Sequence, residues 1–234
     1  MSNSYITKVN IIDGITIQLD SRDIARRLRM DKKKGGEAII SELIELASSI
    51  ITPRALYGVA YISGKNNGTV DIGDTTFTSH VLSTNLASIG RLFPYIVTIG
   101  KELEDKGSSL KLLNQYLLDE IGNISLRLAR KYLEEYLKRE YKITELSSMS
   151  PGRLVDWPIT EQKQLFSLFG DTEGLIGVTL NASMLMIPRK SVSGVYFPTE
   201  VYFESCQLCP RERCEGRKAP YDDKLAKSYS ISDA

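Results

Sequence analysis

The chain carries three cysteines, all within the run Cys206-x2-Cys209-Pro210-x3-Cys214. Two thiolates separated by two residues can grip one ion, the proline shapes the turn, and Cys214 can fold back as a third sulfur donor. Zinc would want a fourth ligand from His80, a carboxylate or a partner chain. An iron–sulfur cluster on three cysteines would leave one iron open, which suits electron transfer. Arg211, Arg213, Arg217 and Lys218 surround the group with cations that favour thiolate over thiol. Free or redox-active thiols, or one disulfide with a thiol to spare, are the other readings of this spacing. An odd, clustered set is a poor disulfide framework for a chain of 234 residues.

Other chemistry-bearing residues are sparse. His80 is the sole histidine, which argues against a His-rich metalloenzyme and against a Ser-His-Asp hydrolase unless His80 is the base. It reads as structural or exposed. Lys32-Lys33-Lys34-Gly35-Gly36 reads as a solvated loop, because no strand precedes it as a phosphate loop requires. Pro188-Arg189-Lys190 reads as a solvated turn, with an acidic partner surface as the alternative. Trp157, beside Pro158, is expected to anchor its loop in the core. No self-contained catalytic constellation is visible.

Composition sets the frame for these residues. Hydrophobic residues make up 42% and charged residues 25%, with a formal net charge of +1. Such a balance gives no global field directed at nucleic acid or an anionic membrane. Met1 to Asn10 is polar and lacks an apolar signal core. No apolar run approaches the roughly 20 residues that span a bilayer. The expectation is a soluble, cytoplasmic chain.

The elements alternate between hairpins and helices. Val9–Leu19 reads as a hairpin about Asp13-Gly14, and Arg22–Arg29 as a short helix. Glu37–Ile51 is an amphipathic helix with Ile40, Leu43, Ile44 and Ala47 on one stripe, stopped by Pro53. Ala55–Ile62 and Arg91–Ile99 read as strands, Gly68–Phe77 as a hairpin segment, and Ser79–Ile89 as a helix with a serine cap. The longest helical pattern opens at Gly107-Ser108-Ser109 and runs to about Tyr141. Leu112, Leu113, Tyr116, Leu117, Ile121 and Leu133 are among its expected inner face, and Gly122 marks a bend or a close contact. Ser147–Trp157 reads as a loop and Thr160–Phe169 as a helix capped by Thr160. Residues 177–180, 182–187 and 191–197 read as extended segments. The chain from Asp222 reads as a frayed tail. Without a strand–helix repeat, the pattern predicts an α+β domain with a mainly antiparallel sheet. The boundaries expected are one domain over residues 1–203 and a Cys-containing extension with a polar tail over 204–234.

Two blocks carry a family likeness. One is Ser150-Pro151-Gly152 with Asp156-Trp157-Pro158-Ile159-Thr160-Glu161-Gln162 and Leu165-Phe166-Ser167-Leu168. The other is Ile176–Asn181, Met184–Pro188 and Ser191–Phe197. Together they look like the C-terminal half of the activation domain of cobalamin-dependent methionine synthase, and more specifically like its stand-alone relatives in anaerobic corrinoid metabolism. Pro53–Tyr57 and Val97–Glu104 add a weaker likeness, so that it spans most of residues 37–203. The resemblance implies a single C-shaped domain with a twisted sheet and long flanking helices. It also implies S-adenosylmethionine as a possible ligand, and docking on a corrinoid (cobalamin-binding) protein or methyltransferase whose cobalt has been oxidised. Such a protein contributes positioning rather than chemistry. At most it is a component of methionine synthase or of a related corrinoid methyltransferase.

Carried over residue by residue, the family's ligand loop R-x-A-x-G-Y falls on Ser148-Met149-Ser150-Pro151-Gly152-Arg153. Only the glycine is retained. Ser148 replaces an arginine that would grip a carboxylate with a bidentate contact, and Arg153 replaces a tyrosine. An acidic residue of the long helix, a contact for the ligand's ammonium group, falls at Arg127. Tyr202 matches a late ligand-contacting tyrosine. Ser150, Pro151, Gly152, Arg153 and Tyr202 are therefore the candidate ligand-binding residues. Three functions follow: a corrinoid-docking accessory protein, an adenosylmethionine-binding reactivation domain of a split methionine synthase, or an iron–sulfur or zinc protein built on the cysteine cluster.

Overall fold

The computed structural model describes residues 6–214 and 217–229. In chain order these form β1 (Ile6–Ile12), α1 (Ser21–Arg27), α2 (Gly36–Ile50), β2 (Arg54–Tyr61), β3 (Gly64–Asn66), β4 (Thr69–Ile72), β5 (Thr75–Thr78) and α3 (His80–Asn85). There follow β6 (Arg91–Thr98), α4 (Glu102–Gly107), α5 (Leu112–Tyr141), β7 (Leu146–Met149), α6 (Gln162–Ser167) and α7 (Thr172–Ile176). The last are β8 (Thr179–Leu180), β9 (Met186–Ile187), β10 (Ser191–Pro198) and α8 (Asp223–Ser228). Among the described residues no helix is long and apolar enough to cross a membrane.

The frame is a five-stranded sheet in the order β1-β2-β6-β10-β7, with every neighbouring pair antiparallel. The expected α+β architecture with an antiparallel sheet is what forms. Its central strands are buried on both faces, and period-two alternation divides their side chains between two cores. Tyr57, Phe93, Tyr95, Val97 and Tyr196 face a layer made by α1, α2, α4 and α5. Leu56, Leu92, Ile96, Val195 and Phe197 face the small β3-β4-β5 sheet, α3, α6 and the end of the chain.

The α2 stripe packs as its spacing dictates, with Ile40, Leu43 and Ala47 buried. The long helix differs at its start. Ser108 and Ser109 donate their hydroxyls back to the carbonyls of Asp105 and Lys106, so they close α4 rather than open α5. Leu112, Leu113 and Tyr116 consequently face solvent, and the buried stripe begins at Leu117. Gly122 is a close contact: a Cβ there would lie 3.0 Å from Leu103 and 3.3 Å from Lys190.

Four other expectations are corrected. Residues 9–19 do not form a hairpin: β1 ends at Ile12, and residues 13–19 are in no strand. Gly14 turns with φ +66°, but Asp13 then pairs with Arg54, Ile15 is buried, and Asp20 caps α1. Residues 147–149, expected in a loop, belong to the edge strand β7. Thr160 is not a cap; a 3₁₀ turn begins after Pro158 without a side-chain cap. Residues 222–229 of the expected frayed tail are ordered: Asp222 caps α8, Ala226 is buried, and Tyr229 Oη donates to Asn85 Oδ1 at 3.1 Å; residues 230–234 lie outside the described residues.

Gly194 of β10 fixes how closely β7 and β6 approach it. A Cβ there would press on the Met149 carbonyl and lie 2.5 Å from Ser150 Oγ and 3.0 Å from Tyr95 Oη. Because one obstacle is backbone, Gly194→Ala should cost about 2 kcal/mol. In thermal denaturation this would lower Tm by roughly 4–8 °C.

Candidate functional site

β7 runs out through Ser150-Pro151-Gly152-Arg153 into a loop that returns at Trp157. The Gly152 N–H donates to the Trp157 carbonyl at 2.7 Å and the Trp157 N–H to the Leu154 carbonyl at 3.1 Å. Gly152 has φ +80°, and its missing Cβ would lie 2.8 Å from Ile159 Cδ1, so both conformation and space require glycine. Trp157 is fully buried, edge-on to Phe77 at 5.9 Å, as its expected anchoring role demands.

Two carboxylates bind this loop to the neighbouring layer. Asp156 accepts from the Ser79 hydroxyl and from the His80 and Val81 N–H groups at 3.1 and 3.0 Å. Glu161 accepts from the Thr78 N–H at 2.9 Å. His80 thus contributes a backbone donor here. A relay continues inward: Ser150 Oγ donates to the Ser193 carbonyl, Ser193 Oγ to Gln162 Oε1, and Gln162 Nε2 to the Met184 carbonyl, at 2.7, 2.7 and 3.0 Å. Ser150, Pro151, Gly152 and Arg153 together line a pocket of about 380 Å³, shared with Gln162, Leu185, Met186 and Arg189.

Tyr202 lies elsewhere. It lines a separate cavity of about 1130 Å³ with Arg91, Tyr141 and Tyr229, and its hydroxyl donates to Glu204 Oε1 at 2.5 Å. Burial and the Glu204 carboxylate hold that phenol well above its ordinary pKa. Glu204 is itself buried, bridges to the Ser148 backbone and receives Lys218 Nζ at 3.4 Å.

The residue that sequence reasoning missed is Arg130. From α5 its Nε donates to Tyr196 Oη at 3.0 Å and its Nη2 to Ser148 Oγ at 2.6 Å. The guanidinium lies over the Tyr196 and Tyr95 rings, which stack on each other at 4.5 Å. Burial opposes its charge. Interactions with Tyr95, Tyr196 and Glu204 more than offset that, so its pKa stands above the usual guanidinium value. A guanidinium therefore lies against Ser148, delivered by the long helix. Arg130 is the helix residue that reaches the strand end. Nothing local in the sequence separates Arg130 from the other arginines of α5.

The cysteines are not assembled into a ligand set. Cys206, Cys209 and Cys214 are free thiols, and among the described residues no three His, Cys, Asp or Glu side chains form a group able to hold a metal. The turn is tied instead by Arg217, which donates to the carbonyls of Cys206, Cys209 and Ala219 at 3.0, 3.1 and 3.2 Å. As placed, these residues do not fit zinc or an iron–sulfur cluster.

The sequence matches no protein-family model. No curated protein matches it. Among solved structures, the chain is similar to the MetH reactivation domain bound to AdoHcy, with 14% identity and a TM-score of 0.53 over 88% of this chain and 84% of that one. At that identity the likeness is one of architecture: the chain shares the α+β fold of that reactivation domain.

Proposed function

We propose that this chain is a reactivation-type accessory protein for corrinoid-dependent methyl transfer, and that it docks on a cobalamin-carrying partner through the face around Pro151-Gly152. The observation that carries the reading is the near end-to-end fold likeness to a methionine synthase reactivation domain. The chemistry of that face supports it. Val155 is 92% exposed and Leu185 56%, with Ile159 and Ile187 also exposed, and Arg153 and Arg189 lie beside the same pocket. Apolar groups rimmed by cations suit a partner surface that is apolar with an acidic margin. The bound cobalamin supplies the methyl-accepting metal. This chain's residues supply a rigid loop, pinned by Asp156, Glu161 and Trp157, that holds the partner in place.

The test uses the purified chain and a cobalamin-loaded corrinoid protein encoded in the same genome. Sedimentation should show a complex, weakened at least tenfold by Val155→Asp with Leu185→Asp. If neither the oxidised nor the methylated partner associates, the reading fails.

A second reading, an adenosylmethionine-type ligand at the same loop, is favoured by Arg130. Arg130 meets Ser148, two residues before the Ser150–Arg153 lining of the small pocket, and a guanidinium is a carboxylate-binding group. Calorimetric titration should show binding of S-adenosylmethionine and S-adenosylhomocysteine that Gly152→Val abolishes, with circular dichroism confirming the fold. No heat at millimolar ligand removes this second reading and leaves the docking reading standing.

A further inference from the structure

A third cleft, of about 750 Å³, lies between the end of α1 and the first half of α5. Tyr116, Glu120, Asn123 and Arg127 of α5 line it at positions i, i+4, i+7 and i+11, the spacing of one helix face. Arg27, Leu28 and Arg29 line the opposite side. Three guanidiniums therefore meet one carboxylate. That carboxylate is engaged, since Glu120 Oε1 accepts from Asn123 Nδ2 at 3.1 Å. Asn123 Oδ1 in turn accepts from Lys190 Nζ at 2.6 Å, and Lys190 pairs with Asp119 at 2.8 Å. Among the described residues no ion pair reaches Arg27, Arg29 or Arg127.

The backbone adds an independent observation. Arg29 sits just past the end of α1 with φ +56°, a left-handed position where glycine is the low-energy choice. An arginine there carries a conformational cost, and its side chain is what the cleft gains. Burial first and then the neighbouring Arg27 lower the Arg127 pKa, with Glu120 opposing them, which agrees with cations that outnumber the counter-charge in the cleft. On the same cleft the Tyr116 ring is 57% exposed, beside Leu28.

We infer that this cleft binds a nucleoside polyphosphate, its phosphates held by Arg27, Arg29 and Arg127 and its base laid against Tyr116 and Leu28. Guanidinium forks match phosphate oxygens in geometry as well as charge, and the exposed ring gives a base a stacking face. The site is separate from the Pro151-Gly152 pocket and does not rest on the docking proposal.

The test titrates the full chain with ADP, pyrophosphate and adenosine at low ionic strength. ADP should bind below millimolar and more tightly than pyrophosphate, adenosine should not register, and added salt should weaken binding. Arg29→Gly should weaken ADP binding at least tenfold while leaving Tm unchanged or raised, because glycine suits that backbone. Arg127→Gln should weaken binding without unfolding the chain. Equal affinities for ADP and pyrophosphate would remove the base from the proposal. No binding of either at millimolar concentration, or undiminished binding in Arg29→Gly, would overturn it.

Discussion

Trp157→Ala should destabilise the protein by about 4 kcal/mol, the usual cost of deleting a buried tryptophan, and lower Tm by roughly 8–16 °C. The ring is fully buried in the core beneath the small sheet and meets Phe77 edge-on. Its removal leaves a void where the loop enters that core. The backbone hydrogen bond from Gly152 to Trp157 would remain possible but lose its fixed end, so under the proposed docking function partner binding should fall as well. Trp157→Phe should cost much less. The indole N–H is buried with no hydrogen-bond partner among the described residues, and phenylalanine removes that unsatisfied donor along with part of the ring. Trp157 is the sole tryptophan, so denaturation must be followed by circular dichroism. Equal losses for alanine and phenylalanine would show that the ring is not what seats the loop.

Arg130→Met should cost about 3 kcal/mol. The change takes the guanidinium donor from two hydroxyls, stranding Ser148 Oγ and leaving Tyr196 Oη only its 3.4 Å donation to the residue-130 carbonyl, and withdraws a cation from a pair of stacked rings. Lysine keeps the charge but not the fork, so Arg130→Lys should fall between wild type and methionine. Ser148→Ala removes the stranded hydroxyl. The double variant should therefore cost at least 0.5 kcal/mol less than the sum of the two single ones. Strict additivity in chemical denaturation would mean that Arg130 and Ser148 act independently.

Much of the frame was legible because burial is periodic. The α2 stripe, the apolar β2 and β6 strands, and the turn residues of β4–β5 each announce themselves within a dozen positions. The errors cluster where a short element is decided by distant partners. β7, Leu-Ser-Ser-Met, is short and half polar, and it is a strand because β10 pairs with it. The second arm expected after Gly14 fails because Asp13 finds Arg54, forty-one positions away. At the candidate site, the Pro151-Gly152 turn could be read from local chemistry. The guanidinium at its base could not, because Arg130 and Ser148 meet only when α5 crosses the sheet edge. The cysteine spacing was equally visible, but spacing does not fix where thiols point, and Arg217 organises that turn.

The double pinning of the loop by Asp156 and Glu161 has a spectroscopic consequence. The amide protons of Thr78, His80 and Val81 end on those carboxylates rather than on backbone carbonyls. Their exchange with deuterated solvent therefore times how often residues 156–161 lift away. Slowed exchange at those three amides on adding a partner would register the loop being clamped, even where no residue of the small sheet is touched.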